Sequence, residues 1–398
     1  MNKRDMFDQV INRLGTYSTQ WDYIEDRFGK NDLLPFTISD TDFAIPEVMM
    51  NDLKKRLNHP VFGYTRWNHE DYKGAIAKWF SERFDTSIDD EVILYSPSVM
   101  YSVARLIELN SEIGDGVIIQ TPAYDAFFKT IRASKRRVIE NPLVLKNDHY
   151  EIDFFQLEDL LKMEKNKILL FCSPHNPTGR VWSQSELNKV VNLCKKYNVF
   201  LISDEIHMDV VRQECVHHPI MQWCDSYSKI ALCSSTSKTF NTPGLGGSYL
   251  MIPDNELFDS FQLLLKNRDG VSSASIMCVT STISAYNKCS EWVDALNDYV
   301  DENLKFTKEY IDQNIPDLSF IVPESTYLAW IDIQKLEFDM AELQRALIDY
   351  GEVAIMKGTI YGGDGDHHLR LNVGCPRTKL VDGLERLNKS IIFLKKYN

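Results

Sequence analysis

The chain has 398 residues, 44% of them hydrophobic and 25% charged, an ordinary balance for a folded chain with a sizeable core and a length that calls for one large domain with a smaller companion, or two to three domains. Its 57 acidic residues against 44 basic ones leave a net charge of −13, which argues against nucleic acid or an anionic membrane surface as the main partner. No apolar run approaches the length of a membrane span, the stretch Met1-Asn-Lys-Arg-Asp-Met-Phe-Asp8 lacks the apolar core of a signal peptide, and the eight scattered cysteines form no C-x-x-C pair, so the expectation is a cytoplasmic protein with reduced thiols.

In chain order, residues 1–45 read as peripheral. They hold one extended apolar piece, Leu33-Leu-Pro-Phe-Thr-Ile-Ser-Asp-Thr-Asp42, that runs into two aspartates. Ile45-Pro-Glu47 opens a helix, with proline early, where a missing N–H costs nothing. Val61-Phe-Gly-Tyr-Thr-Arg-Trp67 reads as an aromatic loop, and residues 70–83 as a helix with Tyr72, Ile76, Trp79 and Phe80 on one face. From residue 91 the pattern becomes strand, turn, helix. Glu91–Tyr95 is a strand, Ser96-Pro-Ser98 a turn and Val99–Leu109 a helix. Gly116–Gln120 ends in Thr121-Pro-Ala-Tyr124, Lys167–Cys172 in Ser173-Pro-His-Asn-Pro-Thr-Gly179, and Val199–Ser203 in Asp204-Glu-Ile-His207. Lys229–Cys233 is a further short apolar run, ending in Ser234-Ser-Thr-Ser-Lys238. Strands alternating with helices predict an α/β fold, a mostly parallel sheet sandwiched by helices, and every polar cluster falls after a strand.

Beyond about residue 253 the pattern changes. Residues 291–311 read as one long helix; strands are expected at Tyr327–Ile331, Val353–Met356 and Leu369–Val373, with helices at about 339–350 and 377–395. This predicts a small α+β domain made of residues 1–45 and 289–398 beside a large domain of residues 46–288. Gly358-Thr-Ile-Tyr-Gly-Gly-Asp-Gly365 reads as a mobile loop.

Familiar phosphate and metal signatures are missing: there is no G-x-x-x-x-G-K-[ST] and no H-E-x-x-H. The pairs His217-His218 and His367-His368 lack partners at metal spacing and read as surface loops, so no metal site is expected. Lys238 has two readings. Alone, it is a solvated loop lysine. At the edge where open α/β sheets hold their ligands, it is an amine that forms a Schiff base with pyridoxal phosphate.

That cofactor requires a carboxylate for its pyridine nitrogen, a donor to its phenolic oxygen, an aromatic against its ring and an anion site for its phosphate. Asp204, Asn176 and Tyr124 offer the first three. Ser98, with the amides of Val99 and Met100 at a helix N-terminus, offers the fourth, and Ser235 and Ser237 add hydroxyls. Taken singly, Asp204 reads rather as a helix cap, Asn176 as a turn residue and Tyr124 as a core aromatic.

The order S-P-x-N-P-T-G, then S-D-E-I-H, then S-x-S-K-T-F-N, with 28 residues from Asn176 to Asp204 and 34 from Asp204 to Lys238, resembles the fold-type I pyridoxal-phosphate enzymes of the aspartate aminotransferase superfamily. Ile38-Ser-Asp-Thr-Asp-Phe43, Phe62-Gly-Tyr-Thr65, Ser203-Asp-Glu-Ile-His-Met-Asp209 and Leu371-Asn-Val-Gly-Cys-Pro-Arg377 resemble, more narrowly, its bacterial cystathionine β-lyase branch.

The resemblance implies that Lys238 is the Schiff-base lysine and carrier of the Cα proton, that Arg370 clamps the substrate α-carboxylate, and that Asp40 lies in the substrate site. It also implies that Tyr64 crosses a homodimer interface to the neighbour's phosphate and substrate, and that His207 lies beside the cofactor. Many aminotransferases carry tyrosine where His207 stands, and a phosphate-binding arginine where Gly246 stands. The expected activity is cleavage of cystathionine or related S-substituted cysteines to pyruvate, ammonia and a thiol. The alternatives are an aminotransferase, which differs only in where the proton returns, and a cofactor-bound regulatory protein that binds a transcription activator.

Overall fold

Short buried runs of branched aliphatic residues alternate with amphipathic helices, and this alternation builds two separate sheets. The computed structural model describes residues 6–397; Met1–Asp5, part of the stretch read above as lacking a signal core, lie outside them. The strands are β1 (Leu34–Phe36), β2 (Ile93–Ser96), β3 (Gly116–Thr121), β4 (Arg137–Pro142), β5 (Val144–Lys146), β6 (His149–Glu151), β7 (Asn166–Cys172), β8 (Phe200–Asp204), β9 (Ile230–Ser234), β10 (Ser248–Met251), β11 (Ser319–Phe320), β12 (Leu328–Asp332), β13 (Val353–Lys357) and β14 (His368–Asn372).

The larger sheet has the order β2-β10-β9-β8-β7-β3-β4. Neighbours from β9 to β4 are parallel, and β10 alone is inverted, antiparallel to both β9 and β2. Strands β3, β8 and β9 are buried along their whole length, as sheets covered on both faces require. The mostly parallel sheet between helices is as expected. Inversion of β10 brings its start, rather than its end, to the edge where the other strands finish. This strand is only four residues long and follows a glycine-rich turn, so its pattern is too short to read from sequence.

The smaller sheet has the order β1-β13-β14-β12-β11, with β1 parallel to β13 and the rest antiparallel. One apolar core forms around the large sheet, including Trp79, Leu169, Ile202 and Leu232. A second forms around the small sheet, including Phe36, Leu304, Leu328 and Leu371. The helix expected over 70–83 spans Glu70–Phe84 and buries Tyr72, Ile76, Trp79 and Phe80. The long helix expected over 291–311 spans Ser290–Asn314. No helix among the described residues is long and apolar enough to cross a membrane.

Two expectations are corrected. Residues 358–365 are not a loose loop. They form two short 3₁₀ turns, Tyr361 is buried, and a Cβ on Gly358 would lie 2.3 Å from the Gly365 carbonyl. The glycines are there because backbones meet. Nor are the histidine pairs both superficial: His217 is buried with its Nε2 2.8 Å from Glu205 Oε2, and His368 stacks on Trp330 with ring centroids 4.6 Å apart.

Gly383 shows how tightly β1 is seated. A Cβ there would lie 2.2 Å from the ring of buried Phe36. Helix propensity alone favours Gly383→Ala by about 1 kcal/mol, whereas overpacking costs about 1–3 kcal/mol. Gly383→Ala is therefore expected to lower the urea midpoint, with Phe36→Leu in the same chain restoring part of it. A raised midpoint in the single variant would show that the contact is not tight.

Candidate active site

At the edge of the large sheet where the parallel strands end, the turns open into a cavity of about 480 Å³, within the size range of small-ligand clefts. Five of its strands deliver groups to it. The turn after β2 brings Ser98, whose Oγ accepts from Tyr101 N at 3.1 Å and caps the helix Val99–Asn110. The first amides of that helix, those of Val99 and Met100, have no intrahelical acceptor and suit an anion. The turn after β3 brings half-buried Tyr124; β7 is followed by Asn176, β8 ends in Asp204, and β9 is followed by Ser235, Ser237 and Lys238. All of these line the cavity together with His207 and, from β14 of the small sheet, Arg370.

Lys238 Nζ donates to the Ser39 carbonyl at 2.7 Å. Loss of solvation pulls its pKa down to about 8, with the charge of Arg370 adding to the effect and Asp40 and Asp204 opposing it. Asp204 is buried and accepts one backbone hydrogen bond, from Ile206 N at 3.2 Å; burial pushes its pKa up to about 7. His207 is buried beside it, with Nδ1 unpartnered. Burial, then the charges of Lys238 and Arg370, hold it down to about 3, so it is neutral at physiological pH.

Arg370 is buried and donates from Nη1 to Asn176 Oδ1 at 3.1 Å and from Nη2 to the Thr37 carbonyl at 3.0 Å, while its Nε has no partner. Ser235 Oγ donates to the Gly247 carbonyl at 3.0 Å and accepts from Ser237 N at 3.2 Å.

Two residues singled out in the sequence stand elsewhere. Tyr64 is fully exposed and does not line the cavity, so within one chain it is not brought to Lys238. Asp40 lies behind the wall, paired with Arg13 at 2.8 Å; its burial raises its pKa, and it acts on Lys238 through its charge. Other wall and support residues escaped sequence reasoning. Ser39 supplies the carbonyl that holds Lys238. Tyr327 OH donates to the same carbonyl at 3.0 Å. Tyr361 lies under Arg370, with the guanidinium carbon 4.7 Å from its ring centroid. An aromatic inside a glycine-rich loop was the one signal for Tyr361.

The donor set fits pyridoxal phosphate. Asp204 is a buried carboxylate with no cation in ion-pair contact among the described residues, and a protonated pyridine nitrogen supplies one. Asn176 uses its oxygen on Arg370 and keeps its NH₂ to donate. Ser98 and the first helix amides could hold an anion, whereas the Ser235 hydroxyl spends its proton on the Gly247 carbonyl. The free Nε of Arg370 leaves a donor for a carboxylate.

Comparison with known proteins agrees. The model of the family "Aminotransferase class I and II" matches residues 31–387. Protein MalY of Escherichia coli is 45% identical over 97% of this chain and 98% of its own length. Cystathionine beta-lyase PatB of Bacillus subtilis is 35% identical over 97% of this chain and 99% of its own. The crystal structure of cystalysin from Treponema denticola, which contains a pyridoxal 5′-phosphate cofactor, is 33% identical, covers 98% of this chain and 99% of its own, and superposes with a TM-score of 0.92.

The depressed pKa of Lys238 sets a pH dependence. Only the neutral amine attacks an aldehyde, and it accumulates as pH rises through about 8. The rate at which the cofactor-free protein captures pyridoxal phosphate, followed by absorbance, should rise about tenfold per pH unit below that point and level above it. A rate still climbing towards the ordinary lysine value of 10.5 would show that Lys238 is not desolvated.

Proposed function

The chain belongs to the family of class I and II aminotransferases, and from that membership we propose that it is a pyridoxal-phosphate-dependent carbon–sulfur β-lyase acting on cystathionine or related S-substituted cysteines. Cystathionine and water would give homocysteine, pyruvate and ammonia. The observation that carries the reading is the convergence in one cavity of the Lys238 amine, the uncompensated carboxylate of Asp204 and the Arg370 guanidinium with its free Nε. The lyase named among its relatives, matched nearly end to end, favours elimination over transamination.

When bound, pyridoxal phosphate supplies an aldehyde that joins the substrate amine and a ring that draws electrons from Cα. The residues of this chain do the rest. Asp204 keeps the ring nitrogen protonated. Arg370 holds the α-carboxylate and so fixes which Cα bond faces Lys238. Once freed by the substrate amine, Lys238 takes the Cα proton; an amine with a pKa near 8 both accepts and returns a proton at neutral pH. Asn176 ties the Arg370 fork to the cofactor side of the cavity, and neutral His207 adds no charge beside Lys238.

The division into a cofactor-holding domain of residues 46–288 and a capping domain of residues 1–45 and 289–398 is part of this reading, supported by the two cores and two sheets. So is a cytoplasmic location, supported by eight free cysteines. A homodimer with shared sites is supported by the exposed run Val61, Phe62 and Tyr64, which offers a second copy an aromatic hydroxyl.

Two experiments test the reading. With cystathionine as sole substrate and no keto acid present, pyruvate, ammonia and homocysteine should form in equal amounts over many turnovers. A single burst relieved by 2-oxoglutarate would assign transamination instead. In mixed dimers, Tyr64→Ala chains should complement Lys238→Ala chains, because one of the two sites is then intact. Verified heterodimers without activity would place the action of Tyr64 within its own chain.

A further inference from the structure

Beside the site cavity lies a second one of about 680 Å³. The two share a wall made by Arg27, Asp125, Lys129 and Met356. Beyond it, the second cavity is lined by apolar Phe28, Phe128, Ile348 and Ile360, and by Arg132, Lys357 and Glu140. A chain with a net charge of −13 thus sets four cationic side chains against two carboxylates at this mouth. Lys129 is neutralised by Asp125, and Arg132 lies over the Phe128 ring.

Arg27 stands at the junction. Among the described residues it has no carboxylate within ion-pair distance; its Nη1 meets only the Met356 sulfur, at 3.6 Å. Its charge is felt at Tyr124 and Tyr361 on the first cavity's wall. A guanidinium that faces two cavities with no anion of its own, above apolar walls, is suited to a carboxylate at the far end of an extended ligand.

We propose that the second cavity receives the distal half of the substrate, and that Arg27 binds a carboxylate carried by the leaving thiol, with Glu140, which has no ion pair among the described residues, facing that thiol's ammonium group. The substrate class is then an S-linked amino acid whose leaving group is itself an amino acid, in preference to short S-alkylcysteines. Arg370 fixes one end and Arg27 the other, so the sulfur between them is held at one distance from Lys238. This deepens, and rests on, the lyase assignment of the first cavity.

The test separates the two claims by using ligands that cannot eliminate. 2,7-Diaminosuberate is cystathionine with a methylene in place of sulfur; 2-aminooctanoate has the same length without the distal head group. Binding of each to the holoenzyme is read from the change in cofactor absorbance. Arg27→Met, which keeps the aliphatic stem, should weaken 2,7-diaminosuberate about fivefold, the upper scale of an ion pair made by a solvent-exposed side chain, and leave 2-aminooctanoate within about 1.5-fold. Arg27→Lys should recover part of the loss. Equal effects on both ligands, or none on the first, would overturn the subsite. Pyruvate formation from cystathionine, measured on the same wild-type protein, reports separately on the lyase reading: selectivity without pyruvate would sink that reading and leave the subsite standing.

Discussion

The site depends on how one stretch of chain, Thr37–Phe43, is held between the two sheets. Asn372, at the end of β14, donates to the carbonyls of Ile38 and Asp40 at 2.6 and 2.7 Å. Asn241, just after the lysine turn, donates to those of Thr41 and Phe43 at 2.8 and 3.1 Å and accepts from Thr41 N. Arg370 takes the Thr37 carbonyl. A buried, irregular segment would otherwise leave these carbonyls unpaired, at a cost of about 1–3 kcal/mol each. Stitched down in this way, the stretch presents the Ser39 carbonyl to both Lys238 and Tyr327 and closes the cavity over the amine. The desolvation that lowers the Lys238 pKa is therefore a consequence of side chains from both sheets.

The same enclosure acts on three titratable groups of the cavity, and it acts against charge. Lys238 and His207 are pushed down and Asp204 up, each with burial as the largest cause. Arg370 holds Nε without a partner. A cavity in which carboxylate and amine are both disfavoured in their charged forms is stabilised by a ligand that brings a cation to Asp204 and an anion to Arg370. The cofactor ring and the substrate carboxylate are such groups. Perturbed groups converging in a cleft mark function better than any one shift does.

Much of the cavity was legible in the sequence because it is local. Ser98, Tyr124, Asn176, Asp204 and Lys238 each follow an apolar run that reads as a strand, and parallel strands place their ends together. What was not legible comes from distant segments. Ser39, Tyr327 and Tyr361 reach the site only through the packing of the small sheet, and the one local signal was the aromatic Tyr361 inside a glycine-rich run. Asp40 stands in a motif with the acidic pattern of a site residue, yet Arg13 claims it behind the wall. The 358–365 run has a loop's composition, but its glycines serve close backbone approach. Burial of His217 and His368 follows from partners outside their own turns, Glu205 and Trp330.

The turn at Gly246 shows how the far end of the cavity is built without a cation. Gly246, the place where the resemblance implies an arginine in many aminotransferases, has φ 71° and ψ 173°, a region essentially reserved for glycine. Space is not the obstacle, since a Cβ there would meet no atom within 4 Å. The backbone is. Gly247 follows at φ 85°, where a Cβ would lie 2.1 Å from Cys278 Sγ, and its N–H donates to the Pro97 carbonyl at 3.0 Å. This pair of glycines turns the chain into the inverted strand β10 and locks its start against the Ser98 turn. An arginine at 246 would need that turn rebuilt. The anion site of this chain therefore rests on helix amides and small hydroxyls, which orient a phosphate but bring no full positive charge. In the homodimer proposed above, the exposed Tyr64 of a second copy would add a hydroxyl from outside this turn without disturbing it.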